Sequence, residues 1–460
     1  MKRREFLRAF SMGTGALMMG QGLGMRLAHA AGPMDPHRKF VFVYFSGAWD
    51  ILLGLDPRDP DEYSDERIDE TGIQPAFDLV LAETPGFQRT LYGDPATDPF
   101  LLGPAMAEMW QHRDVFSVVR GVAMDTVTHE VGRRYFTTGM MPRGLNAAGS
   151  SMGTRVVAHQ GDRTAIPNLV CRSESYNEGD PTYANALSVG SVTDLVAALE
   201  DGPDAPRADS HLRAALTAFR QAQNPFCDPS MFNRFGMLDS VRSTTIKARD
   251  LVEGTGQGLA MADLFNFRLN EHADLRQRYT IPRFNLDGAG ARTAMALQAL
   301  KYGISQAITV TVATGLDTHD DNWASDHHDT QKGGWDLVAT LIGDLKATDD
   351  PDVAGKKLID TTTIVCFSEF SRTPKLNTRS GRDHAIVNAC LIGGTGVPHN
   401  KLFGATSDVG MNALPVDPMT GVAGSSGMTL TPNNVLASIL AGAGMDTDKL
   451  RHDGLPFLQG

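Results

Sequence analysis

Residues 361–394 read TTTIVCFSEFSRTPKLNTRSGRDHAIVNACLIGG, and they hold two apolar runs separated by a strongly polar stretch. The runs, 361–367 and 385–394, have the near-continuous apolar character of strands that are covered on both faces of a sheet. The stretch between them contains a glutamate, three arginines, an aspartate and a histidine. We therefore expect the chain to leave the core here and to form a polar site at the edge of a sheet.

Three more apolar runs and several helical patterns extend this reading to most of the chain. The further strands are expected at 39–45 (KFVFVYF), 115–122 (VFSVVRGV) and 307–313 (AITVTVA). Apolar residues repeat at helical spacing in 297–304 and 333–347, and Thr431-Pro432 has the form of a helix cap followed by proline. Strands that alternate with helices predict an α/β fold with a doubly wound, mostly parallel sheet and helices on both faces.

The N-terminus and the middle of the chain stand apart from this pattern. Residues 1–30 carry paired arginines, Arg3 and Arg4, a short apolar stretch, and Ala28-His29-Ala30 as a cleavage site, which is the layout of a twin-arginine signal peptide. We expect 31–460 to form one α/β domain, with 150–290 as a largely helical and loop insertion that caps the sheet. Residues 405–430 are expected to form a surface loop or a small hairpin.

Charge limits the partners of the exported protein. The 460-residue chain has a formal net charge of −12, and removal of 1–30, with five basic residues and one acidic residue, changes it to −16. A protein this acidic is repelled by nucleic acid and by anionic membranes, so neither is an expected partner. The twin-arginine export machinery is the expected partner of the precursor. Any site for an anion needs local positive charge.

The four cysteines, Cys171, Cys227, Cys366 and Cys390, lack the number and spacing of a disulfide framework or a metal site. Cys366 and Cys390 lie inside apolar runs and are expected to be buried, unreactive thiols.

Polar side chains follow the expected strands one after another. Asp50 comes after the first strand, Thr128 and His129 after the second, Asp317 and His319 after the third, and Glu369 after the fourth, while Asp383-His384 directly precedes the fifth. Ligands of open α/β sheets bind beyond the carboxyl ends of the strands, where such residues converge. Carboxylates gathered there repel one another, and a divalent cation is an economical counter-charge.

These motifs resemble a known bacterial family. GAWD (47–50), THE (128–130), GLDTH (315–319), SEFSRTP (368–374), GRDHA (381–385) and FGATSD (403–408) are similar to those of the DUF1501 family. The resemblance spans residues 38 to 445. Members commonly carry a twin-arginine signal and are placed in the alkaline phosphatase/sulfatase-like superfamily, which implies that fold and a metal-assisted hydrolysis of phosphate or sulfate esters.

The resemblance also implies a set of metal ligands for one or two ions. Zinc and manganese accept mixed oxygen and imidazole ligands. Glu369 corresponds to a position where the superfamily often has aspartate, and His384 to its last histidine. The residues expected to bind metal are Asp50, Asp317, His319, Glu369, Asp383 and His384.

The implied catalytic residues lie beside these ligands. The superfamily plan has a hydroxyl nucleophile at a helix start, which corresponds to Thr128, with Thr126 as the nearby rival. Arg372 and Arg133 are the expected anion clamps for the small anionic ester substrate.

The chain departs from the plan at the fourth strand, where Glu369-Phe370 replaces an Asp-His pair, so that one imidazole is missing. His129 and His327-His328 are the candidate substitutes, although neither lies where the plan expects one. The sulfatase-type Cys-x-Pro-x-Arg stretch is absent from the sequence. The missing histidine favours an alternative, a catalytically inactive exported protein that retains the fold and binds a metal or another ligand.

A dinucleotide site is disfavoured, because the glycine-rich GGTGVP (393–398) is not followed by a clear helix or a ribose-binding acid.

Overall fold

The computed structural model describes residues 35–144, 146–200 and 260–460. The signal peptide expected at 1–30 and the helical patterns expected within 201–259 lie outside the described residues, as does Cys227. Elements are numbered in chain order among the described residues.

One eight-stranded sheet forms the centre of the fold, with the strand order β10-β2-β9-β6-β1-β5-β3-β4. β9 runs antiparallel to both of its neighbours, and the other paired strands of this sheet are parallel. A separate antiparallel pair, β7 and β8, lies between β6 and β9 in the chain. The strands are β1 (Lys39–Phe45), β2 (Phe116–Ala123), β3 (Asn168–Cys171), β4 (Leu187–Val189), β5 (Ala307–Ala313), β6 (Thr362–Ser368), β7 (Ser371–Arg372), β8 (His384–Ala385), β9 (Val387–Gly394) and β10 (Leu402–Phe403).

The five strands expected from apolar runs are β1, β2, β5, β6 and β9, so these expectations are confirmed to within two residues. β3 and β4 were not anticipated. They lie within 150–290 and extend the sheet beyond β5, so this segment contributes strands as well as helices and loops.

Helices cover both faces of the sheet. They are α1 (Asp65–Thr71), α2 (Phe77–Glu83), α3 (His129–Thr138), α4 (Met152–Gln160), α5 (Val192–Leu199), α6 (Met261–Phe265), α7 (Ala273–Arg278), α8 (Ala289–Lys301), α9 (His328–Ala347) and α10 (Pro432–Gly442). Alternate residues of β1 face opposite ways: Val41 belongs to one apolar core with Leu297 of α8, and Phe42 to the other with Leu436 of α10. The expected doubly wound, mostly parallel α/β fold is confirmed.

Local chemistry explains where two of the expected helices begin and end. α10 starts at Pro432, and the side chains of Thr431 and Asn434 cap its first turn. α8 ends at Lys301, before Ile304, because Gly303 adopts a left-handed conformation (φ 61°) that glycine tolerates at a helix end.

The remaining expectations concern a loop and the cysteines. Within 405–430, Val416 pairs with both Ala423 and Met428, so part of this segment folds back on itself. Cys366 and Cys390 are buried, and burial raises the pKa of both thiols, as expected for unreactive side chains. Among the described helices, none combines the length and the apolar character needed to cross a membrane.

Candidate metal centre

The strand directions bring the polar residues to one edge of the sheet. Asp317 and His319 follow β5, and Glu369 follows β6. β9 runs antiparallel to β6, so the chain that enters it, including His384 of β8, lies at the same edge. His129 is the first residue of α3, which begins soon after β2 ends.

Three imidazole rings surround one carboxylate oxygen. Oδ1 of Asp317 lies 3.0 Å from Nε2 of His319, 3.2 Å from Nε2 of His384 and 3.3 Å from Nε2 of His129. Nε2 of His319 and Nε2 of His384 are 2.9 Å apart. Ligand atoms of His129, Asp317 and His384 all lie within 4.8 Å of one another, which makes this group a possible metal site.

The opposite ring nitrogen of each histidine is bound to oxygen. Nδ1 of His129 lies 2.8 Å from Oε1 of Glu369, and Nδ1 of His319 lies 2.8 Å from Oδ1 of Asp383. Nδ1 of His384 lies 2.7 Å from the carbonyl oxygen of Val127. A carboxylate or carbonyl oxygen only accepts hydrogen bonds, so each Nδ1 carries the proton and each Nε2 of a neutral ring presents a lone pair. Metal-binding histidines in proteins are held in this way.

Few donors reach these lone pairs, and the nearest is Nη1 of Arg372, 3.3 Å from Nε2 of His319. Nε2 of His129 is buried and, within the part of the chain that the structure describes, has no hydrogen-bond partner. The neighbouring lone pairs of His319 and His384 repel each other unless a proton or a cation lies between them. The donor set and the orphaned nitrogen therefore fit a divalent metal ion.

Glu369 fixes His129 rather than joining the cluster. Its side chain is 1% exposed, Oε1 also accepts the backbone N–H of Gly47 at 2.9 Å, and Oε2 accepts the hydroxyl of Ser368 at 2.8 Å. Burial alone raises the pKa of this carboxyl group, but the hydrogen bonds, that of His129 foremost, hold it below its usual value. Burial lowers the pKa of His129, but the hydrogen bond and the charge of Glu369, together with the charge of Asp317, raise it above its usual value.

The structure places Asp50 outside the cluster. It is 1% exposed, its Oδ1 accepts the N–H of Leu52 at 2.9 Å, and its Oδ2 accepts Nε1–H of Trp323 and lies 3.0 Å from Nε of Arg382. Among the described residues, no hydrogen bond or ion pair joins Asp50 to the three clustered histidines. Left-handed conformations at Gly47 and Ala48 turn the chain after β1 into the interior, and a metal-binding role for Asp50 stays a prediction.

Arg372, predicted to clamp an anion, has protein partners for its N–H groups. Its side chain is fully buried, and carbonyl oxygens take up most of its N–H groups. Nη2 also donates to Oδ1 of Asp317 at 2.6 Å, and Nη1 to Nε2 of His319 at 3.3 Å. The carbonyl acceptors are those of Ala48, Arg382 and Leu316, at 3.1, 3.1 and 2.8 Å, and that of Gly47.

Comparison with known proteins identifies the family. The sequence profile of the family described as "Protein of unknown function (DUF1501)" matches residues 37–453. The chain belongs to the DUF1501 family. A comparison with curated proteins gave no match.

Solved structures show only distant likeness to this DUF1501 member. The crystal structure of Ps i-CgsB has a TM-score of 0.38 at 9% identity, covering 92% of this chain and 75% of that chain. The PsFucS1 sulfatase from Pseudoalteromonas sp. has a TM-score of 0.30 at 11% identity, over 79% and 64% of the two chains. The alkaline phosphatase from the Antarctic bacterium TAB5 has a TM-score of 0.28 at 12% identity, over 78% and 92%. These TM-scores are low, so the description of the fold rests on the sheet topology given above.

His129, at the start of α3, brings a third imidazole to the cluster. The rings of His129 and His384 pack on Phe370, with centroids 4.9 and 4.5 Å away. Of the two candidate substitutes, His129 reaches the cluster and His327 does not, since Nδ1 of His327 bonds to the hydroxyl of Thr318 at 2.7 Å in the interior. Sequence reasoning had left His129 outside the ligand set because it follows a different strand.

The expected nucleophile and the second arginine lie along α3. Thr128 occupies the N-cap position, is exposed, and makes no side-chain hydrogen bond to the first turn. Its backbone N–H donates to the hydroxyl of Thr126 at 3.1 Å. Nη2 of Arg133, one turn further into the helix, donates to Oε1 of Glu174 at 2.6 Å.

Arg133 and Tyr44 lie close to each other beside the histidine cluster. Nε of Arg133 and the phenol oxygen of Tyr44 are buried, and neither makes a hydrogen bond of good geometry among the described residues. Ser46 and Glu369 also lie within reach of the Tyr44 hydroxyl. The hydrogen-bonding capacity of these two groups is therefore only partly used by the protein.

Proposed function

We propose that this DUF1501 member is an exported, metal-dependent hydrolase of phosphate or sulfate esters. The observation that carries the proposal is the convergence of three Nε2 atoms on one oxygen of Asp317, with each Nδ1 fixed from behind. The cluster lies at the carboxyl edge of a mostly parallel sheet, where ligands of such folds bind.

His129, Asp317 and His384 are the residues proposed to hold the ion, with His319 on the same carboxylate oxygen. Mixed imidazole and carboxylate ligands suit zinc, and manganese is the second candidate. A bound ion of this kind supplies Lewis acidity toward an ester oxygen. Glu369 and Asp383 have the role of orienting His129 and His319.

Thr128 is the proposed nucleophile. Its hydroxyl is exposed, is free of the first turn of α3, and precedes a metal-binding histidine in the chain. The N-terminus of α3, a helix of ten residues, favours an anionic group at this position. Thr126 is the rival, although its hydroxyl accepts a hydrogen bond from the backbone of Thr128.

Nε–H of Arg133 and the hydroxyl of Tyr44 are proposed to bind oxygens of the phosphate or sulfate group. Phosphate and sulfate oxygens are strong acceptors, and a guanidinium N–H gives them a charge-assisted hydrogen bond. Arg372 does not take this role, because its N–H groups already have acceptors.

Export by the twin-arginine machinery and a small anionic ester as substrate complete the proposal. The paired arginines at 3–4 support the route, which carries folded proteins and therefore suits one that acquires its metal first. The net charge of the mature chain argues against nucleic acid or an anionic membrane as a partner.

A second candidate is a metal-binding protein without hydrolytic activity. The engagement of Arg372 favours it, because one of the two expected anion clamps is not available for substrate. This candidate predicts the same metal content but no turnover.

Turnover of p-nitrophenyl phosphate and p-nitrophenyl sulfate by the zinc- or manganese-loaded protein tests the proposal. We expect turnover to fall to background in Thr128→Ala with unchanged metal content, and to persist in the matched control Thr126→Ala. If the wild-type protein binds metal but turns over neither ester, the result would support the second candidate, a metal-binding protein without hydrolytic activity. Equal turnover of Thr128→Ala and wild type would reject Thr128 as the nucleophile.

A further inference from the structure

We infer that the site takes a single divalent ion, and that the guanidinium group of Arg372 occupies the role of a second cation. The inference rests on the proposed function, because it concerns the same metal centre. The superfamily plan has two ions, and the residues that a second ion needs are otherwise engaged in this chain.

The carboxylates expected at a second metal position already have protein partners. Both oxygens of Asp50 are occupied by the N–H of Leu52, the indole of Trp323 and the guanidinium of Arg382. Both oxygens of Glu369 are likewise occupied, as described above. Oδ1 of Asp383 is bound to His319 and to the side-chain amide of Asn377, at 2.8 and 3.1 Å.

Arg372 lies where the strand ends meet. Its N–H groups reach carbonyl oxygens of the turn after β1, the loop after β5 and the chain before β8, together with Oδ1 of Asp317. Carbonyl and carboxylate oxygens are also the ligands that a hard metal cation binds. The guanidinium therefore makes, with fixed geometry, the contacts that an ion would make with these oxygens.

Arg372 is thus a positioning residue that acts through Asp317 and the strand-end carbonyls. Its replacement by alanine removes one positive charge and frees several carbonyl oxygens together with one side of Asp317. The variant gains the ligands and the negative charge that attract a second ion. A purely structural role for Arg372 does not predict any rise in the number of bound ions.

The test is a titration of purified, metal-free mature protein with Zn²⁺ and Mn²⁺, with bound metal counted by elemental analysis. We expect one ion per chain in the wild type, one in Arg372→Lys, and an increase toward two in Arg372→Ala at excess metal. Arg278→Ala is the matched control, since Arg278 is exposed and pairs with Asp274 of the same helix, α7, at 3.0 Å, and this variant should bind one ion. Circular dichroism establishes whether each variant is folded.

Two ions in the wild type, or a folded Arg372→Ala that still binds one, would overturn the inference. If Arg372→Ala does not fold, the wild-type count still decides between one ion and two. No bound metal in the wild type would instead remove the metal from the proposed function. Failure of the inference is therefore distinguishable from failure of that proposal.

Discussion

At the scale of single residues, one carboxylate oxygen connects most of the site. Oδ1 of Asp317 lies within 3.3 Å of nitrogen atoms from His129, His319, His384 and Arg372. Burial opposes the charge of Asp317, but the hydrogen bonds of Arg372 and His384 hold the pKa of its carboxyl group well below the usual value. Asp317 therefore stays ionised and available to a cation throughout the neutral pH range.

The sequence allowed some members of this cluster to be predicted and left others open, for a physical reason. Asp317, His319 and His384 could be selected because they flank apolar strands that end at the same edge. The sequence does not reveal which positive charge lies beside a carboxylate: Asp50 was predicted to bind a metal, and in the structure Nε of Arg382 lies 3.0 Å from its Oδ2. His129 was weighed only as a substitute, because its place in the cluster depends on how α3 packs against Phe370.

Tyr44 provides a test of the proposed anion site. Tyr44→Phe removes only the phenol oxygen, which makes no hydrogen bond of good geometry among the described residues, so stability should change little. If that oxygen binds the substrate, its loss should cost about 1.5–3 kcal/mol of binding, or about a ten- to hundredfold rise in KM. Steady-state kinetics of the metal-loaded variant, together with urea unfolding, measure both quantities. A lower stability with unchanged KM would show that the hydroxyl serves the fold.

His327 makes stability depend on pH. Burial is the main reason that the pKa of His327 is lowered to about 4, and the positive charges of Arg372 and Arg382 add to this effect. The negative charge of Asp50 acts in the opposite direction. The unfolded chain therefore takes up a proton near pH 6.5, while the folded protein does not until about pH 4. The folded state is stabilised above pH 6.5, and this contribution is lost progressively as the pH falls toward 4.

Between pH 7.5 and pH 5 the expected loss from His327 is about 2 kcal/mol, and His327→Gln should lack this part of the pH dependence. Urea unfolding of metal-free wild type and variant at both pH values gives the comparison, and the other histidines cancel because both chains contain them. Equal losses in the two proteins would contradict the assignment.

At the scale of elements, strand direction determines which residues meet. The long apolar runs of β1, β2, β5, β6 and β9 could be recognised because each is covered on both faces and holds seven or eight residues. β3 has four residues and β4 only three, with two of the three exposed, so neither gives a pattern that differs from a loop. The antiparallel direction of β9 explains why His384 precedes its strand while the other site residues follow theirs.

The turn after β1 depends on a glycine. Gly47 has φ 109°, and an added Cβ would lie 2.7 Å from the backbone nitrogens of Leu316 and Asp317. Gly47→Ala should therefore push the β1 and β5 turns apart and weaken zinc binding at least tenfold. Gly72→Ala is the matched control: Gly72 has φ 66° and no atom within 4 Å of an added Cβ.

The control variant Gly72→Ala should lose about 1–2 kcal/mol of stability from backbone strain alone, and Gly47→Ala should lose more. Chelator competition for zinc and urea unfolding separate the two effects. Equal zinc affinity in Gly47→Ala and Gly72→Ala would show that this turn does not position Asp317.

At the scale of the whole molecule, the metal centre joins distant parts of the chain. Its proposed ligands come from the start of α3, the loop after β5 and the short strand before β9, at positions 129, 317 and 384. A bound ion thus connects elements on both sides of β1 and β6 in the sheet order. An ion that binds the folded chain and not the unfolded chain stabilises the fold according to its free concentration.

Removal of the metal should therefore lower global stability. At free zinc between about 100 and 1,000 times its Kd, the expected stabilisation is about 3–4 kcal/mol, which EDTA should abolish and added zinc restore. His129→Ala should unfold at the same urea concentration with and without zinc, because it lacks one ligand and the imidazole that contacts Glu369. His328→Ala is the control, since His328 bonds to Asp329 in α9 at 2.9 Å and should keep the zinc response. A zinc response that survives in His129→Ala would mean that the stabilising ion binds elsewhere in the chain.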